Sequence, residues 1–107
     1  MTPQQVKALV DQEIARDPQR AQPLELDSYC RPALPALTTF KDSWHENRDI
    51  TLWSILKDDL RAALGNGYEV VYSEEEGLFG LAVGVKDQEK AVLVGFYGSF
   101  LETMEAM

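Results

Sequence analysis

The sequence predicts a single α+β domain: a three-stranded antiparallel meander with helices packed on it, the helices mostly N-terminal plus a short C-terminal one. Three observations carry that reading. Residues 68–97 hold three apolar, β-branched runs in succession, Tyr68–Glu74, Leu78–Val85 and Lys90–Tyr97. The links between them, Glu74–Gly77 and Lys86–Glu89, are polar and too short for a parallel crossover, which needs about a dozen residues. Helix start signals stand at both ends of the chain, at Thr2-Pro3 and at Ser99.

The first helix is read over Thr2–Arg16. Thr2 can cap it, Pro3 suits its first turn, and Gln5 completes a capping-box spacing. Val6, Leu9, Val10 and Ile14 recur at helical spacing and form one apolar stripe. Pro18 stops the helix, because the residue before a proline is pushed out of the helical region.

Residues 19–49 carry the weakest signals, and four of the five prolines fall between Pro18 and Pro35. Leu24 and Leu26 alternate with polar residues as in a short edge strand. A helix is expected over Pro35–Asp42, with Leu34, Leu37 and Phe40 inward. A second, longer helix is expected over Ile50–Leu64. Thr51 would cap it, Ile50 and Ile55 would form a hydrophobic staple, and Trp53, Ile55, Leu56, Leu60, Ala63 and Leu64 would make a broad apolar face. Gly65-Asn66-Gly67 would end it.

In the first strand run the side chains alternate: Tyr68, Val70 and Tyr72 share one face, Glu69, Val71 and Ser73 the other. The second and third runs are apolar throughout, as strands covered on both faces are. Their internal glycines Gly80, Gly84 and Gly95 disfavour helix and mark bulges or close approaches of another element. Gly77 supplies a positive φ at the first turn. The second run should lie between the other two. The third would be an apolar edge, calling for a second copy of the chain paired through Lys90–Tyr97 or for cover by Leu24–Leu26. Ser99 caps the final helix, in which Phe100, Leu101 and Met104 close the core.

With 107 residues, 45% of them hydrophobic and 26% charged, the chain suffices for one domain, residues 1–107, burying roughly 65% of its unfolded surface. The net charge of −8 opposes nucleic-acid binding, which needs clustered Lys and Arg, and opposes attraction to anionic membranes. It suits a basic protein partner. One cysteine, Cys30, permits no internal disulfide. No stretch resembles a signal peptide or reaches the ~18 apolar residues of a membrane span, so a cytoplasmic location is the expectation.

Chemistry finds little to stand on. His45 is the single histidine, and a triad would need a nucleophile and a carboxylate beside it. Cys30, Ser28, Ser43 and Asp27 are candidates on paper only. One His and one Cys cannot build a zinc site, and Glu74, Glu75 and Glu76 read as a solvated turn. Gly80, Gly84, Gly95 and Gly98 follow no nucleotide-binding pattern, and Ser99 has no nucleophile elbow around it. No catalytic residue, metal or cofactor is expected, and an enzyme is the less favoured reading. The aromatic residues Tyr29, Trp44, Tyr68, Tyr72 and Tyr97 could serve a core, a pocket or an interface centre.

The expectation is an acidic, non-enzymatic interaction module of inhibitor, immunity or adaptor type, with Trp44, His45, Tyr29, Glu74, Glu75 and Glu76 as binding candidates. The alternative is a small ligand-binding or enzymatic domain with its pocket between the sheet and residues 19–49. That reading requires Cys30 or His45 to line a concave pocket within reach of a carboxylate.

Overall fold

The computed structural model describes residues 1–26, 29, 31–58, 67–85 and 88–107. It is an α+β domain in which five strands close into a mixed barrel and three helices stand at its ends in sequence. The helices are α1 (Pro3–Arg16), α2 (Pro18–Ala21) and α3 (Phe100–Glu105). The strands are β1 (Ala36–Asp42), β2 (Arg48–Lys57), β3 (Tyr68–Ser73), β4 (Leu78–Val83) and β5 (Val92–Gly98).

The expected antiparallel run is present as β3-β4-β5, with β4 in the middle, but it is only part of the sheet. Two strands replace two expected helices. Ala36–Asp42 is β1 rather than a helix, and Leu34 and Leu37 are exposed, not inward. Thr38, Thr39 and Phe40 favour extended backbone, and every β1 residue pairs with β2. The first part of the expected helix 50–64 is β2, whereas residues 59–66 lie outside the described set. Leu52, Trp53, Ser54, Ile55 and Leu56 form a run covered on both faces. Such a run satisfies a helical stripe and a buried strand equally well. Ladder partners on both sides, β1 and β3, decide it. A register shift between Ser54 and Leu56 lets Ile55 and Leu56 both join the same core. The expected Leu24–Leu26 strand is also absent: Gln22–Leu24 is a 3₁₀ turn, and both leucines, partly buried, pack against the larger core cluster.

Each strand contributes one buried apolar side chain to the barrel interior: Phe40, Leu52, Val71, Ala82 and Leu93. Alternation places Ser54 and Glu69 on that inward side as well. Both are buried, and the Ser54 hydroxyl donates to the Glu69 carboxylate. The larger cluster lies on the outer face of β2–β4, where Val6 and Val10 of α1 and Phe100, Leu101 and Met104 of α3 cover Trp53, Ile55, Leu56, Val70, Tyr72, Phe79 and Leu81. Tyr72 tilts against Phe79 at 4.6 Å between centroids, and Phe79 meets Phe100 edge-on at 5.8 Å.

Both helix starts follow the sequence signals. Thr2 and Gln5 form the reciprocal capping box, and Ser99 caps α3 through the Glu102 amide at 3.1 Å. The Glu13 carboxylate of α1 accepts from the amides of Phe100 (3.0 Å) and Leu101 (3.4 Å). Side chains thus take up three donors that the first turn of α3 leaves without helical partners, and α3 is tied to α1.

The barrel closes through a short seam. β1 runs parallel to β5 at only two positions, Lys41 opposite Val92 and Asp42 opposite Leu93, with the Lys41 amide donating to the Ala91 carbonyl at 2.9 Å. The edge expected to be bare is therefore covered at its start by β1, not by Leu24–Leu26. No helix among the described residues is long and apolar enough to cross a membrane.

Candidate functional site

Where β1 ends, Asp42 organises the next four residues. Its Oδ1 accepts the Trp44 amide at 3.1 Å and its Oδ2 meets His45 Nδ1 at 2.7 Å. Ser43–His45 is a 3₁₀ turn, and Glu46 and Asn47 adopt positive φ to bring the chain back as β2. The turn sets the Trp44 indole N–H on the Val94 carbonyl at 2.8 Å. It thereby caps an acceptor of β5 just past the point where the β1 ladder stops. Trp44 is 73% exposed, so its ring is available while its polar atom holds the seam. His45 is exposed over a buried Asp42. The carboxylate that a base would need is in reach, but His45 lines neither of the two grooves described below. Cys30, Ser28 and Asp27 lie outside the described residues.

The remaining candidates separate. Tyr29 is half-buried against the outer core. Glu74, Glu75 and Glu76 are exposed in the β3–β4 turn, which Gly77 closes at φ +67° as the sequence requires. The Ser73 hydroxyl accepts the Glu76 amide at 3.1 Å. Neither Glu75 nor Glu76 has an ion pair among the described residues. No group of three His, Cys, Asp or Glu able to hold a metal ion occurs among the described residues.

The feature that sequence reasoning missed is a groove of about 320 Å³ over β2, lined by Leu37, Ile50–Trp53 and Ser73–Glu75. Cross-strand pairing explains its floor. Leu37 stands opposite Trp53, Trp53 opposite Tyr72 and Tyr72 opposite Phe79, and opposite residues share a face. This apolar row runs under the helices at Phe79, Tyr72 and Trp53 and emerges at Leu37, which is 58% exposed. Glu74 and Glu75 rise at the groove's other side. The Trp53 indole N–H reaches Glu74 Oε2 at 3.4 Å, and the Met1 amino group bonds Glu74 Oε1. That ammonium is the main reason the Glu74 carboxyl is held below the ordinary glutamate range. The groove thus combines an apolar floor with an anionic rim. Reading residues 36–42 as a strand would have put Leu37 outward, so strand periodicity was the available signal.

A second cleft, about 520 Å³, lies between α1 and the β3–β4 turn, lined by Leu9, Glu13, Arg16, Leu78, Phe79 and Ser99 among others. The carboxylate in it, Glu13, is already committed to the α3 amides. Compared with known proteins, the chain matches no family model, no curated protein and no solved structure.

Proposed function

We propose that the chain is a non-enzymatic protein-interaction module of inhibitor, immunity or adaptor type, acting in the cytoplasm, whose β2 groove takes a basic segment of a partner protein. The observation that carries this reading is the meeting of an uncovered apolar floor at Leu37 with the carboxylates of Glu74 and Glu75. An apolar centre with a polar rim is the usual anatomy of a binding patch. A net charge of −8 adds attraction for a cationic partner at long range, which salt screens.

The test is size-exclusion chromatography with light scattering, at low and moderate salt, of the protein alone and mixed with extract of its own source. The Leu37→Asp and Glu75→Lys variants are run alongside. A complex that weakens in salt and is lost in both variants is expected. Capture that ignores salt and both substitutions would refute the reading. A stable dimer with no salt-sensitive partner would favour self-association through the Lys90–Tyr97 edge instead.

A further inference from the structure

Glu74 already holds a cation. The Met1 amino group is seated on Oε1, and the indole of buried Trp53 takes Oε2. The carboxylate is therefore oriented from the groove floor rather than swinging freely in solvent. A primary amine on a carboxylate is also what a lysine side chain would present there. With Oε2 engaged by the indole, one oxygen remains for an incoming cation. That disfavours the two-pronged grip of arginine and suits the single ammonium of lysine. Glu75 lines the same groove without an ion pair among the described residues, and Leu37 and Thr51 lie along it.

We propose that Glu74 and Trp53 form a seat for a primary ammonium, and that a lysine of the partner's segment takes it in place of Met1 while an adjacent apolar side chain packs on Leu37. This rests on the interaction reading above and names the group recognised. Because Met1 competes for the seat, acetylating its amino group should tighten lysine binding. The gain is roughly two- to fivefold, the range that a solvent-exposed ion pair supports.

The experiment is an NMR titration of the ¹⁵N-labelled chain with a blocked peptide of alternating leucine, threonine and lysine, and with its glutamine-for-lysine counterpart. The chain has two tryptophans, so the indole spectrum holds two signals. Trp53 reports the seat, and Trp44, bonded to Val94, serves as the reference. The lysine peptide should move the Trp53 indole signal saturably and leave Trp44 in place. The response should vanish in Glu74→Gln and strengthen on the acetylated chain. If both peptides bind alike along Leu37 and Thr51 and Glu74→Gln changes nothing, the ammonium seat is refuted while the groove stands. If neither peptide binds, the seat and the groove reading fall together.

Discussion

Replacing Gly80 by alanine should damage the barrel far more than the same change at Gly95, although both glycines lie in the β4–β5 pair. A Cβ on Gly80 would sit 2.4 Å from the Gly95 carbonyl oxygen and 2.8 Å from a Phe96 ring carbon, whereas a Cβ on Gly95 would meet nothing within 4 Å. The blocking atom is backbone, and the strands on either side are fixed in the barrel, so the clash can be relieved only by moving β4 from β5. Overpacking of a rigid site costs about 1–3 kcal/mol, and a backbone obstacle puts Gly80→Ala at roughly the top of that range. With a urea slope of about 1–3 kcal/mol/M for a small domain, the midpoint should fall by roughly 1–3 M. Gly95→Ala should stay within about 0.5 kcal/mol of the parent, on the stabilising side if anything, because alanine restricts the unfolded chain. Equal losses at the two positions, or a tolerated Gly80→Ala, would refute the close approach of β4 and β5.

Glu13→Ala should cost roughly 1.5–3 kcal/mol, since two amides of α3 lose a charged acceptor. Glu13→Gln should recover part of that loss, and amide exchange at Phe100 and Leu101 reads the effect directly. Trp44→Phe keeps an aromatic ring but removes the donor to Val94, so it should lose about 0.5–1.5 kcal/mol and speed exchange of the Lys41 and Leu93 amides. Unchanged exchange would show that the indole does not hold the seam. On the acid side, carboxyls are held below their ordinary values in Asp11 by Lys7 and Arg31, in Asp49 by Lys41 and Lys90, in Glu74 by the Met1 amino group and in Glu105 by Arg20. A lowered folded-state value contributes stability above the unfolded value and loses it as pH falls through the folded one. Thermal midpoints should therefore decline once pH drops below the ordinary values of 3.8 for aspartate and 4.5 for glutamate. A midpoint that stays level there would contradict those pairings.

Local chemistry was the most legible part of this chain. Thr2, Pro3 and Gln5, Gly77, and Ser99 each act within a few residues of themselves, and each does what its neighbours in sequence dictate. The three runs of residues 68–97 were legible because their links leave no room for any arrangement other than hairpins. β2 was not, because a run covered on both faces has no strand period to display, and β1 shows its inward alternation only at Phe40 and Asp42. Trp53 and Ile55 look the same to a helical stripe as to a ladder, and the pairing that settles the matter is long-range. The groove was hidden for the same reason. With residues 36–42 read as helix, Leu37 pointed inward, and nothing joined it to Glu74, 37 positions later. Glu13 was likewise invisible, since its partners at Phe100 and Leu101 are 87 and 88 residues away.

The central claim, that the groove over β2 recognises a basic extended segment, is tested most directly by selecting ligands from an unbiased displayed peptide library against the folded chain and against Leu37→Asp. The account predicts enrichment of peptides in which lysine stands near an apolar residue, with binding that falls as salt rises and disappears on the variant. Enrichment of acidic peptides, or of peptides that bind Leu37→Asp as well as the parent, would contradict it.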